Sequence, residues 1–228
     1  MVARPTPMPV SRMQPHVRYL HGFASGPHSE KGADLGRRLA GSCGSFAIPA
    51  LEGGDFSSLT MGAMAGRAVA SCPSEGRVVL VGSSLGGYLA AWLAAKRALP
   101  NLAGILLIAP AFGFTTSWAE RLGVDAVTEW RRTGSRTFFH YGEQRELALG
   151  AGFLASCETL PEVPGEPGVP CVIVHGRGDE TVDPRRSVAY ATAHPTVELH
   201  LVQGDHRLNE ARHAELIALA ARDLLARC

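Results

Sequence analysis

The sequence predicts an α/β protein in which helices flank a mostly parallel sheet. Short apolar runs alternate with segments of helical spacing, a pattern typical of βαβ units joined by right-handed crossovers. Several runs are nearly unbroken in Val, Ile and Leu, as strands buried on both faces tend to be. With 228 residues, 46% of them hydrophobic, the chain is long enough to bury one large core, and we expect one main domain.

Six apolar runs are the predicted strands, and in chain order they read VRYLHGF, FAIPAL, RVVLVGS, GILLIAP, PCVIVHG and VELHLVQ. Helical spacing places helices at residues 29–43, 59–72, 86–99, 183–194 and 213–228. Ser29 is the expected N-cap of the first helix, because a serine hydroxyl can accept a hydrogen bond from a backbone N–H of the first turn.

Residues 112–168 interrupt this alternation. They contain helical segments, a proline-rich exit and no convincing strand, so we expect a small helical lid inserted between the strands at about 104–110 and 170–176. Eight of the fifteen aromatic residues lie in this segment. They either form a small core of the lid itself or roof a binding site, and the sequence leaves both alternatives open.

Charge and cysteine content argue against several classes of function. Lys and Arg number 22 against 21 Asp and Glu, with no basic block, so nothing favours a nucleic acid or an anionic membrane as partner. The five cysteines are scattered and form no C-x-x-C pair, which argues against a disulfide framework or a metal site and favours a reducing compartment. We therefore expect a small-molecule substrate and a cytoplasmic protein.

The first sixteen residues contain four prolines and no continuous apolar core, so this segment is neither a signal peptide nor a membrane anchor. We expect a disordered lead-in at 1–16, a folded domain at 17–228, and no membrane span.

The segment Gly82-Ser83-Ser84-Leu85-Gly86 fits the pattern G-x-S-x-G, with only Ser84 at its centre. In a nucleophile elbow a strand turns sharply into a helix, and the flanking glycines let the two backbones pass without Cβ clashes. The strand-like RVVLV before this segment and the apolar helix after it supply that context. We interpret Ser84 as a nucleophile; the alternative is a tight turn without chemistry.

A serine nucleophile needs a base and an orienting acid, which in this architecture follow in the order Ser, Asp or Glu, His. Asp179 follows the strand CVIVHG, and His206 follows VELHLVQ, so both lie just past strand ends where open α/β sheets bind ligands. Glu180 and Asp183 are competing acids, but Asp179 is the first carboxylate able to turn back toward the site. Asp205, beside His206, is expected to brace the loop.

Three other histidines compete with His206 as the base. His175 and His200 lie within predicted strands and are interpreted as structural residues, while His213 on the last helix is expected to be solvated.

The strand exit YLHGF is the predicted source of a second oxyanion donor. The N–H of Leu85 lies at the start of a helix, and the N–H of Phe23 follows Gly22, which permits close approach. His21 is expected to bond to nearby backbone, and the alternative is that HGF is a turn with a core phenylalanine. The substrate pocket is expected to be lined by Phe23, Tyr88, Phe112, Phe114 and Trp118.

The arginines of WRRTG and DPRRS could attract an acidic leaving group, although paired arginines usually form a solvated face. They are Arg131, Arg132, Arg185 and Arg186.

Taken together, YLHGFASGPHSEKG, VGSSLGGYLAAWLA, VHGRGDETV and GDHRL resemble the α/β-hydrolase superfamily. More narrowly, the chain is similar to small single-domain bacterial serine esterases with a YLHGF strand exit, and to the related mitochondrial acyl-protein and acyl-glucuronide thioesterase/esterase group. The resemblance runs from Arg18 to the C-terminus and implies Ser84, Asp179 and His206 as the triad. It also implies the N–H groups of Phe23 and Leu85 as oxyanion donors.

The expected activity is a carboxylesterase-type cleavage of esters with short to medium acyl chains through an acyl-enzyme, which needs no cofactor. Alternatives on the same triad are an acyl-protein or acyl-CoA thioesterase, a peptidase or an acyltransferase. A binding module that retains Ser84 without using it is the rival outside enzymes, since a fold never proves an activity.

Overall fold

The computed structural model describes residues 14–228. Its strands are β1 (His16–Leu20), β2 (Ser45–Ala47), β3 (Val78–Ser83), β4 (Leu102–Ile108), β5 (Ser135–His140), β6 (Arg145–Gly150), β7 (Cys171–Gly176) and β8 (Val197–Val202). Six of them form one sheet in the order β2-β1-β3-β4-β7-β8, with every neighbouring pair parallel. The predicted fold class is confirmed.

The helices are α1 (Glu30–Arg38), α2 (Met61–Ala70), α3 (Leu85–Ala95), α4 (Phe114–Leu122), α5 (Val124–Thr133), α6 (Ala151–Glu158), α7 (Arg185–Ala193) and α8 (Ala211–Arg227). The Ser29 hydroxyl accepts the N–H of Gly32 at 3.3 Å, so the predicted N-cap of α1 is present.

Apolar residues cover both faces of the sheet. On one face, side chains of β3 and β4 pack against α2, α3 and α7, for example Leu80 and Leu107 with Leu89. On the other, α1 and α8 contribute Leu35 and Leu224. This double coverage explains why the central strands consist almost wholly of Val, Ile and Leu.

The insertion between β4 and β7 is not purely helical, and this corrects the expected lid. Between its helices lies an antiparallel hairpin in which β5 pairs with β6 from Ser135↔Gly150 to His140↔Arg145. Residues 146–160, which include most of β6, are among the helical segments expected in this insertion, since Leu and Ala have high helix propensity. In the structure Leu147 and Leu149 instead lie on one face of a strand with a period of two, which packing against the lid stabilises.

The predicted lead-in lies outside the described residues up to position 13, and His16 is already the first residue of β1. Within residues 14–228, no helix is long and apolar enough to cross a membrane.

Candidate active site

Four loops meet at the carboxyl edge of the sheet. They follow β1, β3, β7 and β8 and carry Phe23, Ser84, Asp179 and His206 respectively. Since β1 lies beside β3, and β4 separates β3 from β7, the topology gathers side chains that are far apart in the sequence. This edge is where parallel sheets bind ligands.

The turn between β3 and α3 has the geometry of a nucleophile elbow. Ser84 has φ +53° and ψ −117°, a strained conformation for a residue with a Cβ. A Cβ on Gly82 would lie 2.2 Å from the carbonyl oxygen of Gly86, and one on Gly86 would lie 2.0 Å from that of Leu20. Both glycines are therefore required by close backbone packing.

The preceding serine makes different contacts. The hydroxyl of Ser83 is hydrogen-bonded to the buried Tyr19, which also bonds to the N-cap residue Ser29. Burial raises the pKa of Tyr19 to about 12, so its hydroxyl keeps its proton and can donate. Ser83 thus belongs to a network that joins β1, β3 and the start of α1.

Ser84, His206 and Asp179 form a continuous chain of hydrogen bonds. The Ser84 hydroxyl donates to Nε2 of His206 at 3.1 Å, and Nδ1–H of His206 donates to Oδ2 of Asp179 at 2.7 Å. Because the carboxylate accepts only from a protonated nitrogen, Nδ1 carries the proton and Nε2 is free to act as a base. The His206 side chain is 21% exposed, whereas that of Asp179 is fully buried.

The carboxylate of Asp179 is held by several donors besides His206. Its Oδ1 accepts the N–H groups of Thr181 and Val182, each at 2.8 Å, and its Oδ2 also accepts from Nε2 of His175 at 2.9 Å. Burial raises the pKa of Asp179, but the hydrogen bonds from His175, His206 and Val182 outweigh burial and hold this pKa well below its usual range.

The other candidate acids have separate roles. Asp205 accepts the N–H groups of Arg207 and Leu208 at 3.0 Å each, so it braces the His206 loop as predicted. Asp183 pairs with Arg185 at 2.7 Å, and Glu180 is exposed.

His200 and His213, the other candidate bases, have partners away from Ser84. His200 lies 2.9 Å from Glu198 of its own strand. His213 is not solvated, contrary to expectation; it is 2% exposed, and its Nε2–H donates to the Gln203 carbonyl at 2.7 Å.

Beside Ser84 lies the strand exit at residues 21–24. A Cβ on Gly22 would stand 3.5 Å from the Cβ of Ser84, so the two turns are in close contact. Nδ1–H of His21 donates to the Gly22 carbonyl at 3.0 Å, and its Nε2 accepts the N–H of Leu51 at 3.4 Å. Within the described residues, the N–H groups of Phe23 and Leu85 donate to no backbone carbonyl.

The hairpin of the lid docks on this strand exit. The N–H of Tyr141 donates to the carbonyl of Ala24 at 2.7 Å, and Ala24 has φ +50°. Nδ1 of His140 accepts the N–H of Glu143, so its Nε2–H donates to Glu52, 2.6 Å away. Burial raises the pKa of Glu52, and the hydrogen bond from His140 opposes that rise.

A cavity of about 50 Å³ opens beside Ser84. Four of the five predicted pocket residues line it, namely Phe23, Phe112, Phe114 and Trp118, together with Arg121 and Thr181 among others. Tyr88 does not. Its hydroxyl donates to the Pro161 carbonyl at 2.6 Å, and its ring packs behind Phe114 at 5.0 Å.

The sequence left open whether the aromatic residues of the lid form a small core or roof the site, and the structure has features of both. Trp118 stacks on Phe138 at 5.7 Å and contacts Trp130 and Phe153 at 5.9 and 5.6 Å, which makes a small core. Trp118 also meets the ring of Phe23 at 4.9 Å. The lid core therefore rests directly on the strand exit beside Ser84.

Residues 16–220 match the uncharacterised protein family UPF0227. The chain belongs to this family. The mouse protein named "Palmitoyl-protein thioesterase ABHD10, mitochondrial" is 32% identical over 158 aligned residues, and the alignment covers 67% of this chain and 53% of that protein. The matched segment thus spans about half of the relative's length.

Two solved structures share the fold of this UPF0227 member. Mouse alpha/beta hydrolase domain-containing protein 10 superposes with a TM-score of 0.77 at 23% identity, covering 96% of this chain and 92% of that chain. A putative hydrolase from Agrobacterium vitis S4 superposes with a TM-score of 0.80, also at 23% identity, covering 93% and 88%. The UPF0227 chain has the α/β-hydrolase fold.

The paired arginines of the UPF0227 chain are engaged with carboxylates. Arg132 lies 2.6 Å from Glu129, and Arg131 pairs with Glu158. Arg186 lies 3.8 Å from Glu162.

One contact of the site was missed by sequence reasoning. His175, fully buried in β7, bonds both to Asp179 and to Ser187, the latter at 2.7 Å. A signal was present, because His175 and Asp179 flank the same short loop, but a histidine within a strand was interpreted only as structural.

Proposed function

We propose that this protein is a serine hydrolase that cleaves carboxylic esters with short to medium acyl chains. The observation that carries the proposal is the hydrogen-bonded chain from Ser84 through His206 to Asp179. Its elements have the chemistry of a nucleophile, a base and an orienting acid, each at a separate strand end.

In the proposed reaction, Ser84 Oγ attacks the ester carbonyl while Nε2 of His206 takes the hydroxyl proton. Asp179 holds the imidazole with Nδ1 protonated and stabilises the imidazolium that forms. Since the pKa of Asp179 is held low, the carboxylate stays ionised and does not itself take the proton.

The tetrahedral intermediate places a negative charge on the former carbonyl oxygen. We assign its stabilisation to the N–H groups of Phe23 and Leu85, the second of which also lies at the N-terminus of α3. Removal of one such donor typically lowers the rate about 100-fold to 1,000-fold.

Collapse of this intermediate expels the alcohol, which receives the proton from His206. Water then attacks the acyl-Ser84 ester, with His206 again as base, and frees the acid. These steps use only side chains and backbone of the chain, so the mechanism needs no cofactor.

The cavity size favours a short acyl group. About 10–15 Å³ of such space holds one water molecule, so about 50 Å³ accommodates only a few atoms beside Ser84. Its aromatic lining favours an apolar acyl group over a peptide chain, which needs partners for its polar groups.

A thioesterase is the second candidate, because the same triad attacks thioesters. The observation in its favour is the 32% identity to a mouse protein named as a palmitoyl-protein thioesterase. That name also places the relative in mitochondria, so the cytoplasmic location expected for this chain stays a prediction.

Hydrolysis of p-nitrophenyl esters from acetate to palmitate tests this choice. We expect kcat/KM to rise by up to about fourfold per methylene, equivalent to about 0.8 kcal/mol, and to fall once the chain exceeds the cavity. The Ser84→Ala variant measures the background. A kcat/KM that still rises at palmitate would contradict the short-chain assignment and favour the thioesterase. Hydrolysis of thioesters with the same acyl chains would then test that second candidate.

A further inference from the structure

Lys31 connects two loops of the candidate site. It lies in the first turn of α1, directly after the loop that carries Phe23, and its Nζ donates to the carbonyl of Arg207. Arg207 follows His206, the proposed base, and lies 176 positions away from Lys31 in the sequence. One side chain therefore links the oxyanion side of the site to the base side.

The ammonium of Lys31 also lies in the field of the site's carboxylates. Burial lowers the pKa of Lys31 to about 8, and the charges of Asp205 and Asp179 act in the opposite direction. On its own helix the nearby acid Asp34 is already paired, with Arg38 at 2.6 Å. Partial burial of the Lys31 ammonium between these loops costs desolvation free energy, and apolar packing alone does not explain why a lysine lies there.

Several other contacts hold the His206 loop, among them the hydrogen bond from His213 on α8 to the Gln203 carbonyl at 2.7 Å. Asp205 braces it internally, and the N–H of Gly178 donates to the carbonyl of Gly204 at 2.9 Å. The residue after Arg207, Leu208, has φ +48°, so this loop adopts a conformation that local preference opposes. A contact from α1 to the Arg207 carbonyl restrains the part of the loop nearest to His206.

We propose that Lys31 is a positioning residue for ester hydrolysis, which holds the His206 loop in register with Ser84 through the Arg207 carbonyl. This inference rests on the proposed function. It predicts that loss of the Lys31 contact slows the chemical step while leaving substrate binding nearly intact, because Lys31 contacts the residue after the base and does not line the acyl cavity.

Three substitutions separate charge from hydrogen bonding. Lys31→Met keeps the length and removes both, Lys31→Gln keeps a donor, and Lys31→Arg keeps donor and charge. We expect Lys31→Met to lower kcat about tenfold to a hundredfold with KM within about twofold. We expect Lys31→Arg to recover most of kcat, and Lys31→Gln to be intermediate. Lys96→Met, at the exposed C-cap of α3, is the matched control.

The pH profile supplies a readout that simple loss of stability would not move. The charge of Lys31 acts on Asp179, which is hydrogen-bonded to His206, so the pH dependence of kcat/KM should change in Lys31→Met and return in Lys31→Arg. Rates are normalised to active sites titrated with a fluorophosphonate, which removes any contribution from unfolded protein.

Unchanged kcat and an unchanged pH dependence of kcat/KM in Lys31→Met would overturn the inference while the proposed function stands. A wild-type chain without hydrolysis or labelling would overturn the proposed function. In that case the NMR titration of the His206 imidazole in wild type and Lys31→Met still decides whether Lys31 acts on this residue, and identical titration curves would contradict it.

Discussion

Asp179 contributes both to the stability of the fold and to the orientation of His206. Its carboxylate accepts two backbone N–H groups and two imidazole N–H groups while fully buried. Such a carboxylate orients His206 from a fixed position, since the loop residues Thr181 and Val182 and the strand residue His175 hold it on both oxygens.

Replacing Asp179 by Asn should lower kcat by about 10⁴-fold, because the amide can present its NH₂ group to Nδ1 and stabilise the wrong tautomer of His206. Glu180→Gln on the same loop is the matched control and should change kcat by less than about threefold, since Glu180 is exposed. The measurement is steady-state hydrolysis of a p-nitrophenyl ester. A larger loss in Asp205→Asn than in Asp179→Asn would reverse the assignment of the acid.

The same carboxylate should make stability depend on pH. The pKa of Asp179 is depressed in the folded state relative to about 4 in the unfolded chain, so its stabilising contribution is present above about pH 4 and is lost as the pH falls below it. From pH 5 to pH 3 this one group should account for a loss of about 1 kcal/mol in the free energy of unfolding. Denaturant unfolding of wild type and Asp179→Asn across this range measures the difference, and parallel curves would contradict it.

Among the elements, the lid hairpin has the most direct connection to the site. It binds the strand exit through the Tyr141-to-Ala24 hydrogen bond. It binds the loop after β2 through the buried pair of His140 and Glu52, and the neighbouring Leu51 donates its N–H to His21 of the strand exit. Ala24, with its positive φ, directly follows Phe23, so the hairpin supports the backbone that carries the proposed oxyanion donor.

Glu52→Ala should therefore reduce both stability and activity. It leaves Nε2–H of the buried His140 without its partner, which costs about 1–3 kcal/mol, and it loosens the strand exit, so kcat should fall about tenfold. Glu52→Gln retains an acceptor and should be milder. Glu146→Gln, exposed on β6, is the control. Thermal unfolding and kcat are measured on each variant, and a stable Glu52→Ala with full kcat would show that the hairpin does not support the site.

At the scale of the molecule, the sheet and the gathering of Ser84, Asp179 and His206 at one edge of it could be predicted from the sequence, because both depend on local patterns; the catalytic roles of these residues stay a proposal. The apolar runs of β3, β4 and β7 identify strands covered on both faces, and Ser84, Asp179 and His206 each follow such a run. The hairpin was missed because RELALG has a helical composition, and only its packing in the lid makes it a strand. Tyr88 was expected in the pocket, but its hydroxyl binds the Pro161 carbonyl and its ring packs behind Phe114.

The contact of Lys31 with the Arg207 carbonyl could not be predicted from the sequence. It depends on the placement of α1 relative to the loop after β8, which spacing along the chain does not encode. The predicted domain boundary at residue 17 and the lead-in before it stay predictions.

The central claim is that Ser84 is a nucleophile activated by His206, and covalent labelling tests it most directly. Wild-type protein is treated with a fluorophosphonate, and the modified residue is located by peptide mass spectrometry. We expect one label per chain on Ser84, none in Ser84→Ala, and near-complete labelling in Ser83→Ala, whose lost hydrogen bond to Tyr19 affects only stability, by about 1 kcal/mol. Absence of labelling in folded wild-type protein, or equal loss in both serine variants, would contradict the account.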